Sequence, residues 1–466
     1  LTAGFFAHDF ELEVVATDAT GRVMLWPRPR FRVADPNAVQ RLDETRSLQA
    51  ASVSSDLLIK NEIESVSNAC ARNIDLLMKL APRMHKPDVE RIDDLIARLE
   101  GVMAMQRRQP SRRTSTREWQ TYTEVPQRQF RTIDVREHRG LRAVTLADLG
   151  RINVIVGINN AGKTSLLEAV YLLAHQADPR GLLEVVRRRT RTDGGADPTT
   201  FVDRLPEHVL LDARFDLRDD GDTRVEIVCK DDPGANENIA DYLRTLSIQS
   251  SHAGRKQASR TDFFLDRSER TTVSGDARWL CPAVFHSPFS LAAPSTLTRC
   301  NRASIEAGTK DRVIEFLREH VDPKLRNIEL VDEHHRFVVT HDDFGAPLDL
   351  SSFGEGMQRI FQIGLLFAGS RGGVVLVDEF ENALHTTLLI ELTRLIQELA
   401  VAMDVQLFLT THSKEAVDAF LLNDTRNEDV VAFGLFREGT ATEVRRYDGP
   451  VLRRAIEAVD IDIRRQ

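Results

Sequence analysis

The sequence predicts an α/β fold in which parallel strands alternate with helices. An apolar, β-branched run at residues 151–156 ends in a glycine loop and is followed by helical periodicity over residues 164–174. Two more short apolar runs, at 374–377 and 406–410, each end in polar residues. Short buried strands that end at polar loops are typical of a parallel sheet covered by helices.

The composition is that of an ordinary soluble protein. The chain has 466 residues, of which 42% are hydrophobic and 29% charged, and this length favours two or three domains. No apolar run approaches the roughly 20 residues of a membrane helix, and the N-terminus lacks the order of a signal peptide. The four cysteines lie far apart without a CxxC pair. We therefore expect a cytoplasmic protein with no membrane partner, no disulfide framework and no zinc site.

Three regions are predicted along the chain. Residues 1–106 contain a strand hairpin around a turn at 17–21, then two apolar stripes at helical spacing that predict a helical hairpin. Mutual burial of these stripes is favoured over docking of a partner. Residues 107–129 are polar and basic, which is typical of a linker. Residues 130–466 form the α/β region, with 175–310 as an inserted, lid-like part.

The glycine loop at residues 157–164 carries the clearest chemical signal. It matches the pattern GxxxxGK[ST] and lies between a predicted strand and a predicted helix. Such a loop aims backbone N–H groups at phosphate oxygens, and the helix N-terminus adds partial positive charge. The pattern predicts an ATP site in which Lys163 reaches the β- and γ-phosphates and Thr164 binds Mg²⁺. The residues expected to bind the nucleotide here are Gly157, Asn159, Asn160, Gly162, Lys163, Thr164 and Ser165.

The other two strands end in residues that fit the same chemistry. Asp378 is expected to hold Mg²⁺ through water, and Glu379 to orient or deprotonate the attacking water. An acidic pair after a strand could merely cap the next helix, but its position after a phosphate loop favours the catalytic interpretation. His412 follows the third strand and can bond a γ-phosphate, although on its own it would be an ordinary loop residue.

A fourth element contains Ser352 and Gly354, just before an apolar helix predicted at 360–368. Serine and glycine at a helix start form another anion-binding end. A helix cap needs only one serine, so this element is compatible with capping as well as with nucleotide binding.

The order of these motifs resembles that of ABC-type ATPases of the SMC/RecF class. More narrowly, it resembles the overcoming-lysogenization-defect (OLD) family and related stand-alone ATPases of bacterial anti-phage defence. The likeness covers residues 130–466 and includes the pair Asn159-Asn160 and the run 378–385. It implies a P-loop ABC-type head with a mixed sheet flanked by helices.

The resemblance also implies roles for individual residues. In that class two heads sandwich two ATP molecules, so Ser352 and Gly354 would act in trans on the partner's nucleotide. Glu379 would be the catalytic carboxylate, His412 the switch histidine, and residues 382–385 the D-loop.

Two features depart from the family pattern. OLD nucleases carry a TOPRIM domain after the ATPase, whereas this chain ends about 50 residues past His412, which is too short for one. ABC-type heads also use a Q-loop glutamine. Gln176 and Gln249 are both candidates, and the sequence does not choose between them.

We therefore expect a Mg²⁺-dependent ATP hydrolase that forms a homodimer or higher oligomer and controls a separate effector, a nuclease or toxin, in anti-phage defence. One alternative is a DNA-repair or DNA-end-binding ATPase of the RecF kind, with DNA contacts at the basic segments 107–117 and 187–189. The net charge of −9 argues weakly against general nucleic-acid coating. Another alternative is an ATP-held scaffold that sequesters a toxin, against which an intact Glu379 counts modestly.

Overall fold

A computed structural model of the chain describes short strands before residue 122 and most of the chain from residue 130 onward. The described ranges of this second part are 130–190, 202–215, 221–232, 242–264, 269–288, 294–331, 336–423, 425, 427–439 and 441–464. The chain divides into one unit of Leu1–Arg112 and Thr192–Asp197 and another of Arg113–Arg191 and Pro198–Gln466. Every site residue predicted above lies in the second unit.

The described elements are numbered here in chain order. The strands are β1 (Phe10–Glu11), β2 (Val15–Thr17), β3 (Val23–Leu25), β4 (Arg30–Phe31), β5 (Gln120–Thr121), β6 (Phe130–His138), β7 (Leu141–Leu146), β8 (Ile152–Gly157), β9 (His208–Phe215), β10 (Asp222–Lys230), β11 (Tyr242–His252), β12 (Arg255–Phe264), β13 (Glu269–Gly275), β14 (Arg278–Trp279), β15 (Ala283–His286), β16 (Leu325–Val331), β17 (Arg336–His341), β18 (Leu348–Asp349), β19 (Val374–Val377), β20 (Gln406–Thr411), β21 (Val430–Glu438) and β22 (Ala441–Asp448). The α-helices are α1 (Lys163–His175), α2 (Pro179–Thr190), α3 (Pro294–Glu306), α4 (Thr309–His320), α5 (Glu355–Gly369), α6 (Thr386–Ala402), α7 (Lys414–Leu422) and α8 (Gly449–Val459).

In the first unit, β2 pairs antiparallel with β3, and β1 pairs antiparallel with β4. The pairing of β2 with β3 agrees with the hairpin predicted around the turn at 17–21. The predicted helical hairpin lies outside the described residues. So does the predicted linker at 107–129, apart from β5, which pairs in parallel with β14.

A six-stranded sheet in the order β15-β19-β20-β8-β21-β22 carries the predicted motifs. The first five strands are parallel, and β22 is antiparallel to β21. All side chains of β8, β19 and β20 are buried, as their continuous apolar sequences require. The predicted α/β fold with a mixed sheet is confirmed.

A second, seven-stranded sheet is antiparallel throughout, in the order β13-β12-β11-β10-β9-β6-β7. Strand β10 alternates buried with less buried residues, as expected of a sheet packed on one face. Strands β9–β13 come from the region 175–310 that we predicted to be an inserted lid. They share a sheet with β6 and β7, and β15 of the same region joins the parallel sheet. Its role as a lid stays a prediction.

Helix α1 lies between the two sheets. It contacts β8, β15, β19 and β20 of the parallel sheet as well as β6, β9 and β10 of the antiparallel sheet. Eleven of its 13 residues are buried, which explains why its sequence is apolar around nearly the whole circumference. The helix that begins at the glycine loop is therefore fixed on two sides.

Helices α3 to α8 cover the opposite face of the parallel sheet. Alternate residues of β8, namely Ile152, Val154 and Val156, share one buried cluster with side chains of α3 to α8. Because side chains alternate along a strand, β8 faces these helices on one side and α1 on the other. Among the described residues, no helix has the length and apolarity needed to cross a bilayer.

Candidate nucleotide-binding site

The three strand-end motifs lie at one edge of the parallel sheet. Strands β19, β20 and β8 are neighbours and run in the same direction, so their carboxyl ends meet. Ligands of open α/β sheets bind outside the carboxyl ends of the strands. Two contacts show how near the motifs are. The Thr164 hydroxyl donates to Asp378 Oδ2 at 2.9 Å, and Lys163 Nζ lies 3.3 Å from His412 Nδ1.

The loop backbone depends on its glycines. Gly162 has φ +98°, and a Cβ there would lie 2.5 Å from the side chain of Leu141. A Cβ on Gly157 would lie 2.6 Å from the main-chain oxygen of Leu435, so neither position accommodates a larger residue. Gly162 is also the N-cap of α1 and gives it no side-chain cap. No side chain of the N-cap residue therefore bonds to the first N–H groups of the helix. An anion site requires such N–H groups to be available to the ligand.

Lys163 is buried, and its ammonium is held at the loop. Its Nζ donates to the carbonyl oxygens of Gly157 at 2.8 Å and Ile158 at 2.9 Å. Burial lowers the pKa of Lys163 to about 8, while the carboxylates of Asp378 and Glu381 oppose that shift. The structure therefore places the amine where the sequence pattern expects phosphate oxygens.

Thr164 and Asp378 form the predicted metal-binding pair. Asp378 is buried, and its second carboxylate oxygen accepts from the Thr410 hydroxyl. Mg²⁺ at nucleotide sites commonly takes one or two protein oxygens and completes its shell with water and phosphate. Within the described residues no cluster of three His, Cys, Asp or Glu could hold a metal without a nucleotide. The hydroxyl and carboxylate fit Mg²⁺ shared with a nucleotide.

The main chain around Glu379 is unusually constrained. Glu379 has φ +48°, a conformation that non-glycine residues rarely adopt. Its N–H donates to Thr410 Oγ1 at 2.9 Å, and Arg359 Nη2 donates to its carbonyl oxygen at 2.6 Å. Asn382 Nδ2 lies 3.4 Å from the carboxylate. Such strain persists only where neighbouring bonds enforce it, and it is common at functional sites.

Arg359 was missed by the sequence analysis. Its guanidinium is buried and also donates to the carbonyl oxygen of Asp378 at 2.9 Å, so it joins α5 to the acidic pair. Burial lowers its pKa to about 10. The available signal was a single arginine just before the apolar helix predicted at 360–368, which gives no indication of its partners.

The main chain of His412 is also held by side chains that sequence reasoning missed. Its N–H donates to Glu381 Oε1 at 2.6 Å, and its carbonyl oxygen accepts from Arg464 Nη1 at 2.6 Å. Glu381 could have been noticed as a third acidic residue close behind Asp378. Nothing in the sequence near Arg464 points to this site.

Ser352 and Gly354 are exposed at the start of α5. Gly354 is the N-cap of this helix and provides no side-chain cap, so Ser352 is not the helix cap that the alternative interpretation required. Among the hydrogen bonds of the described residues, none joins either residue to the phosphate loop of the same chain. Their action on a nucleotide stays a prediction.

Neither candidate for the Q-loop glutamine lies at the carboxyl edge of the parallel sheet. Gln176 follows the far end of α1, about 20 Å of helix from the phosphate loop. It is buried there, and its amide donates to Leu173 O and Thr223 Oγ1. Gln249 is exposed on β11, opposite Glu226 of the antiparallel sheet. A glutamine carries no local signal of its location, so the Q-loop glutamine stays unassigned.

The basic run at 187–189 is engaged within the protein. Arg188 pairs with Glu184, and Arg189 makes a bidentate contact with buried Glu168. Arg189 also donates to the hydroxyl of Ser165 at 3.1 Å, which places it beside the phosphate loop. The contacts of Arg189 fasten α2 to α1, so they weaken the alternative in which this run binds DNA.

Glu168 provides a stability prediction. It is buried and accepts bonds from Arg139, Arg189 and His138, and these partners lower its pKa to about 2 despite burial. Glu168→Gln should lower the free energy of unfolding by about 2–3 kcal/mol at pH 7, a reduced value because both arginines are partly exposed. Denaturant unfolding would measure it.

The matched control is Glu398→Gln, which removes an exposed partner of Arg312 and should cost less than about 0.5 kcal/mol. The depressed pKa of Glu168 means that its contribution is complete above the unfolded pKa of about 4.5 and disappears as the pH falls towards 2. The difference between wild type and Glu168→Gln should therefore narrow over that range. Equal losses in the two variants would contradict the prediction.

Comparison with protein families matches residues 152–418 to the family described as “AAA domain, putative AbiEii toxin, Type IV TA system”. The match spans more than half of the chain, which shows the family and confirms the predicted P-loop ATPase, an ATP hydrolase. An ATP/GTP phosphatase of Helicobacter pylori is 20% identical over 324 residues, covering 62% of this chain and 86% of that protein. An uncharacterized protein of Methanocaldococcus jannaschii is 51% identical over 41 residues, covering 9% of this chain and 19% of that protein.

Solved structures similar to this chain include SMC heads. The SMC head domain from Thermotoga maritima has 13% sequence identity and a TM-score of 0.33, and the alignment covers 68% of this chain and 99% of that one. A Pyrococcus furiosus Smc head bound to the C-terminal domain of ScpA has 9% identity and a TM-score of 0.35, with 72% and 100% covered.

Proposed function

We propose that this chain, which belongs to the family described as “AAA domain, putative AbiEii toxin, Type IV TA system”, closes around Mg²⁺ and ATP as a homodimer. The observation that carries the proposal is the exposed, uncapped start of α5. Ser352 and Gly354 lie there without contact to their own phosphate loop, so they are available to a partner's nucleotide. A two-fold symmetric, isologous dimer of this kind has two equal composite sites.

In the proposed reaction ATP is hydrolysed to ADP and phosphate without a covalent intermediate. Lys163 and the N–H groups at the start of α1 stabilise negative charge on the phosphates. Thr164 and Asp378 would hold Mg²⁺, which supplies further charge neutralisation when bound. Glu379 positions the attacking water, and His412 contacts the γ-phosphate from the side of Lys163.

The proposed output is a difference in shape between the ATP-closed and open dimers, which controls a separate effector. We propose a nuclease or toxin as that effector, acting in cytoplasmic anti-phage defence. The family description, which names a type IV toxin–antitoxin system, and the likeness to OLD ATPases support this choice. Co-expression with the neighbouring gene product tests it: a stoichiometric complex whose effector activity depends on ATP would support the proposal, whereas an effector indifferent to ATP would contradict it.

Mixing two inactive variants tests action across the dimer. Lys163→Ala and Ser352→Arg proteins should each be inactive alone. In a mixed dimer one composite site carries both lesions and the other carries neither. Random pairing makes about half of the dimers mixed, so up to roughly a quarter of wild-type turnover per subunit should return. Turnover and trapped nucleotide are both measured, since strict coupling between the sites could suppress turnover alone.

Subunit exchange is verified separately by pull-down of differently tagged chains. The matched control mixes Lys163→Ala with a second Lys163→Ala preparation, which should recover nothing. If exchange is complete and neither turnover nor trapped nucleotide returns, Ser352 does not act across the dimer. The chain would then be a P-loop ATPase without the proposed shared sites.

A further inference from the structure

The main chain of His412 is held from both sides by charged side chains. On one side the carboxylate of Glu381 accepts from the N–H, and on the other the guanidinium of Arg464 donates to the carbonyl oxygen, both at 2.6 Å. Hydrogen bonds with an ionised partner are shorter and stronger than neutral ones. Since both bonds act on one residue, they fix the direction in which its ring leaves the main chain.

Glu381 is itself fixed by the turn that follows β19. The N–H of Leu384 donates to its carbonyl oxygen at 3.0 Å, and the N–H of the preceding Phe380 donates to Thr410 O at 2.9 Å, on β20. The turn at residues 378–384, called the acidic turn below, is therefore connected by hydrogen bonds to the end of β20. A shift of the turn would be transmitted to His412 through the Glu381 carboxylate.

The second oxygen of Glu381 is buried and has no hydrogen-bond partner among the described residues. A buried carboxylate oxygen without a partner costs free energy, so its presence calls for an explanation beyond stability. The charge of Glu381 also acts on Lys163 and Arg359, since it opposes the lowering of both pKa values by burial. Glu381 thus faces the same cationic groups as the acidic pair at 378–379.

Arg464 is oriented by its own partner. Its Nε and Nη2 donate to the two carboxylate oxygens of Asp462 at 2.8 and 2.7 Å, which leaves Nη1 for the carbonyl oxygen of His412. Bidentate pairing of this kind holds a guanidinium in one plane. The segment after α8 therefore reaches the end of β20 with a preoriented donor.

We propose that Glu381 and Arg464 are positioning residues that hold the main chain of His412 so that its ring stays beside the phosphate site. The inference rests on the proposed function, because it assigns the two residues an effect on hydrolysis through His412. Neither residue needs to touch the nucleotide. Loss of either bond lets the peptide group on that side of the His412 Cα rotate and moves the imidazole away from the amine of Lys163.

The first test compares two replacements of Glu381. Glu381→Ala should lower kcat about tenfold, because it removes the acceptor for the N–H of His412. Glu381→Gln should stay within about threefold of wild type, since its amide oxygen can still accept that bond. Both variants should lower KM for ATP, because each removes a negative charge near the phosphates. A purely structural role would not separate kcat from KM in this way.

The control is Glu398→Gln, which removes an exposed carboxylate whose partner is Arg312, away from the site, and should leave kcat and KM unchanged. Melting temperatures establish that each variant is folded. Wild-type kcat in a folded Glu381→Ala protein would overturn the proposal. So would a Glu381→Gln protein as slow as Glu381→Ala, since charge and not the bond would then matter.

The second test adds Arg464. Arg464→Ala alone should also lower kcat about tenfold, with exposed Arg302→Ala as the unaffected control. Because the two residues hold the peptide groups on either side of the His412 Cα and so act on one imidazole, the double variant Glu381→Ala/Arg464→Ala should be little slower than either single variant. A hundredfold combined loss would mean independent actions and would overturn the proposal. If Lys163→Ala abolishes ATP binding while these variants behave as wild type, the site stands and only this inference fails.

Discussion

Replacing Lys163 with alanine is expected to abolish measurable ATP binding and, with it, ATP turnover. The Lys163 ammonium is buried and held by the loop carbonyls of Gly157 and Ile158, next to the start of α1. A cation at this point faces the β- and γ-phosphates, and its loss leaves their charge opposed by the carboxylates of the acidic turn. Titration calorimetry with ATP and Mg²⁺ measures the binding, and phosphate release measures the turnover.

The fold should not suffer from this change. Burial of the charged amine lowers the pKa of Lys163 to about 8, and this cost offsets part of what its bonds to the loop carbonyls contribute. Lys163→Ala should therefore remain folded, which its melting temperature checks. The control Lys230→Ala removes an exposed lysine of β10 and should leave binding intact. Unchanged ATP affinity in the Lys163→Ala protein would refute the assignment of the phosphate loop.

The parts of the site that could be predicted are those whose signals are local. A buried strand, a glycine loop and a helix follow one another within 151–174. Because they are adjacent in sequence, the loop must lie between the end of the strand and the start of the helix. The acidic pair and His412 could be brought to the same edge because parallel strands end on one side of a sheet. No knowledge of distant contacts was needed for either step.

The residues that could not be predicted act through distant contacts. Arg359 bonds to main-chain oxygens 19 and 20 residues later, and Arg464 bonds to a residue 52 positions earlier. Contacts at such sequence separations leave no periodic pattern of residue types in the sequence. The same limit explains why the sequence does not choose between Gln176 and Gln249, since a glutamine is compatible with helix ends, exposed strands and catalytic loops alike.

The antiparallel sheet was only partly visible in the sequence for a different reason. Strands β9 and β10 each have a buried face, so their apolar residues give a signal that the sequence can show. Strand β13 is exposed or half-buried along its whole length, so hydrophobicity could not reveal it. Pairing with β12 is what makes it a strand. Extended edges of this kind are determined by the neighbouring strand and not by their own residues.

Glu379→Gln is expected to separate ATP binding from hydrolysis. Glutamine keeps the size and hydrogen-bonding capacity of the side chain but loses its negative charge and basicity. The strained main chain of residue 379 should keep its conformation. The side chains of Thr410 and Arg359 bond to its N–H and carbonyl oxygen, which the substitution does not change. Turnover should fall about 100-fold or more, while ATP binding remains and a closed dimer accumulates. Phosphate release, calorimetry and size-exclusion chromatography measure the three quantities.

The neighbouring carboxylate provides the matched control for this prediction. Glu381→Gln removes the same charge only two residues later, yet it should keep kcat within about threefold, because its amide oxygen still accepts from His412. A general loss of negative charge in the acidic turn would slow both variants alike, whereas loss of the group that acts on water slows Glu379→Gln alone. A Glu379→Gln protein that hydrolyses ATP at the wild-type rate would assign the base to another carboxylate. If Glu381→Gln were the inactive one, the roles of the two residues would be exchanged.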